Sequence, residues 1–187
     1  VVSSDDATGD LYLARYTTAG ALDTTFNTVG YIVDTNTNGG YSNGVAVQLD
    51  DKIVVVSRDN ATDDLYLARY TTAGALDTTD VFTETPQGVF AILQDALANL
   101  VLTGTDGSGN GWLKRYTSAG SSDLAFGTNS LVSGLDGAAT IALEQSMARI
   151  VVAGKGTTNG AIRAYEPDGS VDTLFGASLN GIYDTGV

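Results

Sequence analysis

Residues 60–79, NATDDLYLARYTTAGALDTT, repeat residues 6–25, DATGDLYLARYTTAGALDTT, with differences only at positions 6/60 and 9/63. Looser copies stand at 111–127 (GWLKRYTSAGSSDLAFG) and 161–176 (AIRAYEPDGSVDTLFG). A self-similar chain folds as an array in which each repeat buries its apolar surface against its neighbours. Aligned on Tyr16, Tyr70, Tyr116 and Tyr165, the copies lie 54, 46 and 49 residues apart. A glycine follows each tyrosine by four residues (Gly20, Gly74, Gly120, Gly169), and an aspartate follows by seven (Asp23, Asp77, Asp123, Asp172). Phe26, Phe126 and Phe175 follow by ten, and Asp80 takes that place in the second copy.

LYLARY reads as a strand that is apolar on both faces, with Leu11 and Leu13 on one and Tyr12 and Tyr16 on the other. Two-sided apolarity predicts a sheet sandwiched between neighbours. Glu166-Pro167-Asp168-Gly169 shows the turn chemistry that follows: proline presets φ and glycine supplies the left-handed closing position. The ALDTTF segment is then expected to begin the returning strand. A second hairpin precedes the first, as in GVAVQLDDKIVVVS (44–57), with counterparts at 88–104 and 139–154. AILQDALANLVL (91–102) has a helix-friendly composition, but its alignment with the β-branched runs IVVVS and IVVAG favours strand.

One repeat is therefore four short antiparallel strands, a-b-c-d, in about 50 residues, the signature of a propeller blade. The expected fold is all-β, a propeller-type array of about four four-stranded antiparallel blades, alone or as part of a larger propeller. It forms one domain, 1–187, with repeats near 1–43, 44–87, 88–137 and 138–187, the first lacking its strand a.

Composition narrows the chemistry. Glycine is enriched, with 23 of 187 residues, and there are two prolines, which suits short strands joined by tight turns. The net charge of −13 repels nucleic acid and anionic membranes. Cysteine and histidine are absent, which excludes disulfides, thiolate or imidazole zinc sites and histidine-based acid–base catalysis. No apolar run is long enough to span a bilayer as a helix, so no membrane insertion is expected. The opening VVSS shows no signal peptide, and the reading is of a mature product or a segment of something longer.

The combined pattern GVAVQLDDKIVVVS…DDLYLARYTTAGALDTTF resembles the delta-60 repeat family, a bacterial β-propeller domain of unknown function. The matching residues are LARY at 13–16 and 67–70, LKRY at 113–116, IVVAG at 150–154 and PDGSVDTLFG at 167–176. The resemblance covers the whole chain in about four copies. It implies blades in large secreted or surface-exposed proteins, hence an extracellular or cell-surface location, and no catalytic activity. The chain departs from the pattern at Asp80, in its lengthened a–b turns and at Arg163, where Ala164 holds the usual arginine place. Its start matches the end of strand b, and Gly186-Val187 match Gly44-Val45, the opening of strand a. The expected partners are flanking repeats of a longer chain, or a neighbouring subunit supplying the strand.

Three residue sets are site candidates. Arg15, Arg69 and Arg115 each precede Asp23, Asp77 or Asp123 by eight residues across a hairpin, and we read them, with the turn glycines and Asp172, as turn and pairing hardware. The Asp-rich b–c loops could supply calcium ligands from Asp5, Asp6 and Asp10 or from Asp59, Asp63 and Asp64, although Asx turns explain these residues equally well. Tyr31, Tyr41 and Tyr183, placed in the d–a connections, are candidates for a glycan or protein ligand, with the connection at 34–43 as the variable loop. Tyr12, Tyr66 and Trp112 align, with Ala161 breaking the series, and read as packing between blades. No nucleophile–base cluster appears, and no cofactor other than calcium is expected. The functional expectation is a non-catalytic structural or interaction scaffold. The alternatives are a glycan- or protein-binding module and a strand-complemented subunit of a surface assembly or filament.

Overall fold

Runs of valine and isoleucine pair with LYLARY-type segments because branched and aromatic side chains pack well on a pleated surface. The computed structural model describes residues 1–4, 8–35, 42–58, 65–77, 82–84, 88–128, 131–135, 138–144, 149–155, 160–176 and 182–184. They form four antiparallel sheets whose strands follow chain order. The first holds β1 (Val2–Ser4), β2 (Leu11–Ala14) and β3 (Tyr31–Asp34). The second holds β4 (Ser42–Val47), β5 (Ile53–Arg58), β6 (Leu65–Tyr70) and β7 (Phe82–Glu84). The third holds β8 (Val89–Gln94), β9 (Leu100–Thr105), β10 (Gly111–Tyr116) and β11 (Leu131–Leu135). The fourth holds β12 (Ala138–Glu144), β13 (Arg149–Lys155), β14 (Gly160–Tyr165) and β15 (Ile182–Asp184). One sheet thus has three strands and three have four, and the helix-friendly stretch at 91–102 is two strands around a turn.

The chain divides into two compact units, Val1–Val89 and Phe90–Val187. In the first unit, pairing of Leu13 with Ile32 and of Val2 with Leu13 puts these side chains on one face of the first sheet. That face packs on Ile53, Val55, Tyr66, Ala68 and Tyr70 of the second sheet, with Phe26 in the same cluster. In the second unit, Val101, Leu113 and Phe126 pack on Ile150, Val152 and Tyr165 of the fourth sheet. Both cores lie between sheets, as two-sided apolar strands require.

The returning strand does not begin at ALDTTF. Each hairpin closes with a single isolated bridge, Tyr16 to Leu22 and its counterparts, and in the first, third and fourth copies the chain then turns again. The Asp23 carboxylate accepts the Thr25 amide at 3.1 Å, and the Asp23 carbonyl accepts the Phe26 amide at 2.9 Å. This aspartate-capped turn swings Phe26 into the core and postpones the fourth strand to Tyr31. Tyr31 and Tyr183 therefore lie in strands β3 and β15 rather than in connections.

Candidate functional site

The aligned residues converge on the tips of the hairpins. The four turn glycines have φ of 80°, 89°, 94° and 86°, the left-handed region that glycine adopts without strain. In the first unit Arg15, at the end of β2, donates from Nε to Asp23 at 2.8 Å and from Nη2 to the Thr25 hydroxyl at 2.8 Å. Its Nη1 reaches the next repeat and donates to the Thr72 carbonyl at 2.6 Å. The guanidinium lies over the Phe26 ring, 4.9 Å from its centre. The Asn27 amide, turned outward by a φ of 48°, donates to the Ala73 carbonyl at 2.9 Å. A Cβ on Gly74 would stand 3.0 Å from both Cβ and N of Asn27 and 3.3 Å from the Phe26 ring.

The second unit repeats the core of this joint, with Ala125 and Gly127 where the first has Thr25 and Asn27. Arg115 donates from Nε to Asp123 at 2.8 Å, donates from Nη1 to the Pro167 carbonyl and lies 4.7 Å from the Phe126 ring centre. Gly127, with a φ of 55°, donates its amide to the Asp168 carbonyl at 2.8 Å. A Cβ on Gly169 would stand 2.9 Å from that same amide nitrogen and 3.0 Å from the Phe126 ring. Thr72 and Pro167 are both second after the aligned tyrosine, and Ala73 and Asp168 are both third. The joint is thus one phenylalanine, one guanidinium and one amide, presented to two carbonyls and a glycine.

In the second copy Arg69 meets Asp77 at 3.1 Å, and Lys52 adds a second cation at 3.0 Å. In the fourth copy Ala164 holds the arginine place, and Asp172 instead pairs with Arg149 at 2.6 Å. Arg149 begins β13, and its guanidinium lies 5.8 Å from the Phe175 ring centre. Lys52 and Arg149 both directly precede a β-branched run, and that shared position was the sequence signal for a cation from strand b. Arg163 pairs with Val152, on the opposite face from Ala164.

Other acidic side chains are engaged in their own turns. Asp106 accepts the Ser108 and Asn110 amides, both at 2.9 Å, and the Asn110 side chain at 3.0 Å. The Asn110 side chain, then its amide, hold the Asp106 carboxyl below the ordinary aspartate range. Asp95 makes the same turn with Leu97 and Asn99, and lies 3.6 Å from Arg115. Asp23 is lowered chiefly by the Thr25 hydroxyl, and Asp168 by the Ser170 hydroxyl.

Of the calcium candidates, Asp10 sits just before β2, its amide bonded to the Thr8 hydroxyl at 3.3 Å. Asp5, Asp6, Asp59, Asp63 and Asp64 lie outside the described residues. Among the described residues, no group of three or more acidic side chains is placed to hold a metal ion. Tyr31 stacks on Tyr12 at 5.2 Å and 27°, Tyr183 is half exposed in β15, and Tyr41 lies outside the described residues.

Two further features of the first unit lay outside sequence reasoning. Buried Asp34 in β3 accepts the Tyr66 hydroxyl at 2.9 Å and also the Tyr70 hydroxyl. Burial, and then the Asp34 bond, raise the Tyr70 phenol far above its ordinary value. The second is a cavity of about 420 Å³ lined by Val1, Leu13, Ala14, Val45, Val47 and Ile53, with Arg15 and Asp51 at its polar side.

Residues 1–26, 48–79 and 149–175 match the family model described as "Domain of unknown function (DUF5122) beta-propeller". A solved chain of a Nidogen/Laminin complex has the same fold at a TM-score of 0.57 and 12% identity, covering 90% of this chain. The fold is of the β-propeller type. Two further structures of similar fold are a protein of unknown function from Bacteroides caccae (TM-score 0.54, 13% identity, 91% of this chain covered) and a protein from Lactobacillus plantarum (0.57, 18%, 91%). This propeller-type chain spans 58%, 55% and 51% of the three solved chains, in that order. At these identities the likeness is one of fold. No curated protein matches the sequence.

Proposed function

We propose that this chain is a non-catalytic scaffold segment of a bacterial secreted or cell-surface repeat protein of the delta-60 type. One observation carries the reading: the recurrent charged residues work as joints. Arg15 and Arg115, the polar residues that an enzyme or receptor would present outward, bind their own aspartates and the carbonyls of the following repeat. The half-buried ion pairs fix the geometry from one repeat to the next. The test is localisation in the native organism with an antibody to this chain. Detection in the medium, or on intact cells with loss after external protease, is expected. Detection only in the cytosol of lysed cells would refute the surface assignment.

A second reading, strand complementation, has an observation in its favour. Among the described residues β1 has no strand on its outer side, where β4, β8 and β12 stand in the other sheets, and the apolar cavity beside Val1, Val45 and Val47 adjoins it. An added strand would find both an edge and an apolar seat there. A synthetic GVAVQL peptide should bind the chain and raise its melting temperature, and a scrambled peptide should not.

A further inference from the structure

The joint makes no distinction between one following repeat and another, because its acceptors are main-chain carbonyls. Deeper between the first and second sheets a side chain does the accepting. Asp34 ends β3 opposite Leu11 and is buried. Its Oδ2 accepts the hydroxyls of both Tyr66 and Tyr70. These tyrosines stand four residues apart on β6, which separates them by about 13 Å along an extended strand. Their hydroxyls still meet at one oxygen, so the two rings lean towards each other over the residue between them on that face. That residue is Ala68, fully buried and small enough to leave the space. An acid, two hydroxyls and a gap thus act as one device.

The second unit stacks its sheets in the same way without this set. Tyr165 packs against the third sheet as Tyr70 packs against the first. Counted from these aligned tyrosines, Ala161 and Arg163 of β14 take the places of Tyr66 and Ala68. Ala161 has no hydroxyl to offer. In the sheet in front, β11 reads LVSGL and carries no acidic residue. Leu135 there pairs with Gly111 as Asp34 pairs with Leu11. Acid and hydroxyl are present together in one unit and missing together from these places in the other.

Burial explains why the two go together. A hydroxyl buried without an acceptor, or a carboxylate buried without donors, gives up its bonds to water and gains none in return. A repeat with tyrosine in the Tyr66 place is therefore favoured behind Asp34 and penalised behind an apolar residue. A repeat with alanine there leaves the Asp34 carboxylate a donor short.

We propose that Asp34 is a selectivity lock, which determines the kind of repeat that docks on the first sheet by requiring hydroxyls from it. The lock reads the paired tyrosines of LYLARY and disfavours a repeat of the fourth kind, a discrimination that the joint does not make. Selectivity of this sort is a difference between two stabilities, and the unpaired polar group supplies the penalty.

The test is a double-mutant cycle on the full 187-residue chain, by urea titration followed with circular dichroism. Tyr66→Phe removes one hydroxyl and little volume, and should raise the unfolding equilibrium constant about 5- to 30-fold. Asp34→Leu, which installs the residue type of the third sheet, should raise it at least as much. In the Asp34→Leu chain the same Tyr66→Phe change should leave the constant unchanged or lower it, because the hydroxyl it removes has lost its acceptor. That change of preference from tyrosine to phenylalanine is the selectivity itself, and a contact made by packing alone would not produce it. Should Asp34→Leu not fold by itself, the reciprocal arm decides. Asp34→Leu should stabilise a chain that already carries Tyr66→Phe and Tyr70→Phe, where the carboxylate has lost both hydroxyl donors. An equal cost of Tyr66→Phe in both backgrounds, a silent Asp34→Leu, or an Asp34→Leu that further destabilises the chain lacking both hydroxyls would each overturn the proposal.

Discussion

The same substitution in two identical turns should have two different costs. Gly20 and Gly74 both stand in TTAGALDTT, with φ of 80° and 89°. Replacing either by alanine forces an L-residue into the left-handed region, at about 1–2 kcal/mol. The loss of chain freedom in the unfolded state offsets about 0.4–1 kcal/mol of this. Gly20→Ala should therefore cost about 1 kcal/mol, since its new methyl meets open space. At Gly74 the methyl would stand 3.0 Å from the backbone nitrogen of Asn27, which is held by its bond to Ala73. Backbone so placed cannot yield cheaply, and overpacking adds about 1–3 kcal/mol. For a unit the size of Val1–Val89, each kcal/mol lowers the melting temperature by about 4–8 °C. Scanning calorimetry should show the transition of this unit falling by about 5 °C for Gly20→Ala and by about 10–20 °C for Gly74→Ala. Equal shifts for the two variants would refute the close approach of Phe26 and Asn27 to the second turn, and with it the joint.

Arg149→Ala should destabilise the second unit by about 3 kcal/mol, because it strands the buried Asp172 carboxylate. Adding Ala164→Arg, which restores the arginine of the other copies, should recover most of that loss in urea titration. Ala98→Gly should stabilise by about 1 kcal/mol in the same assay, since Ala98 adopts a φ of 65° where the matching turn has Gly109. Asp23, Asp106 and Asp168 have depressed folded pKa values, so their stabilisation is complete above the unfolded aspartate pKa of about 3.9 and is lost as pH falls through the lower folded values. Thermal melts from pH 6 to 2.5 should show the decline setting in only below about pH 4, and a loss complete by pH 5 would contradict the assignment.

The strands were legible because their signal is local: alternation, β-branching and two-sided apolarity in LYLARY predict a strand between neighbours, and β6 is buried along its whole length. The joint was not legible, for a physical reason. Its acceptors are main-chain carbonyls, presented by Thr72 in one unit and Pro167 in the other, and carbonyls leave no mark on residue identity. The fourth strand starts later than the ALDTTF pattern suggests because the aspartate seven after the tyrosine, besides pairing with the arginine, caps a turn. The Arg149–Asp172 pair lacks the eight-residue spacing of the other pairs because Arg149 reaches Asp172 from a neighbouring strand rather than along a hairpin. The tyrosines divide the same way: Tyr66 and Tyr70 meet Asp34 across two sheets, a contact set by how sheets stack and not by spacing.

The receiving half of the joint asks almost nothing of the residues that form it. Thr-Ala in one turn and Pro-Asp in the other serve equally, provided that a glycine closes the turn. A duplicated repeat therefore arrives already able to follow, at the joint, any repeat that carries the phenylalanine, and lengthening the array there needs no compensating mutation in its neighbour. The same indifference carries a hazard during folding. The donor half built on Phe26 would fit the turn at 17–20 of another molecule as readily as the turn at 71–74 of its own, so exchange between chains competes with correct docking. The low cost of adding a repeat and the risk of misassembly come from one source: the acceptor is backbone.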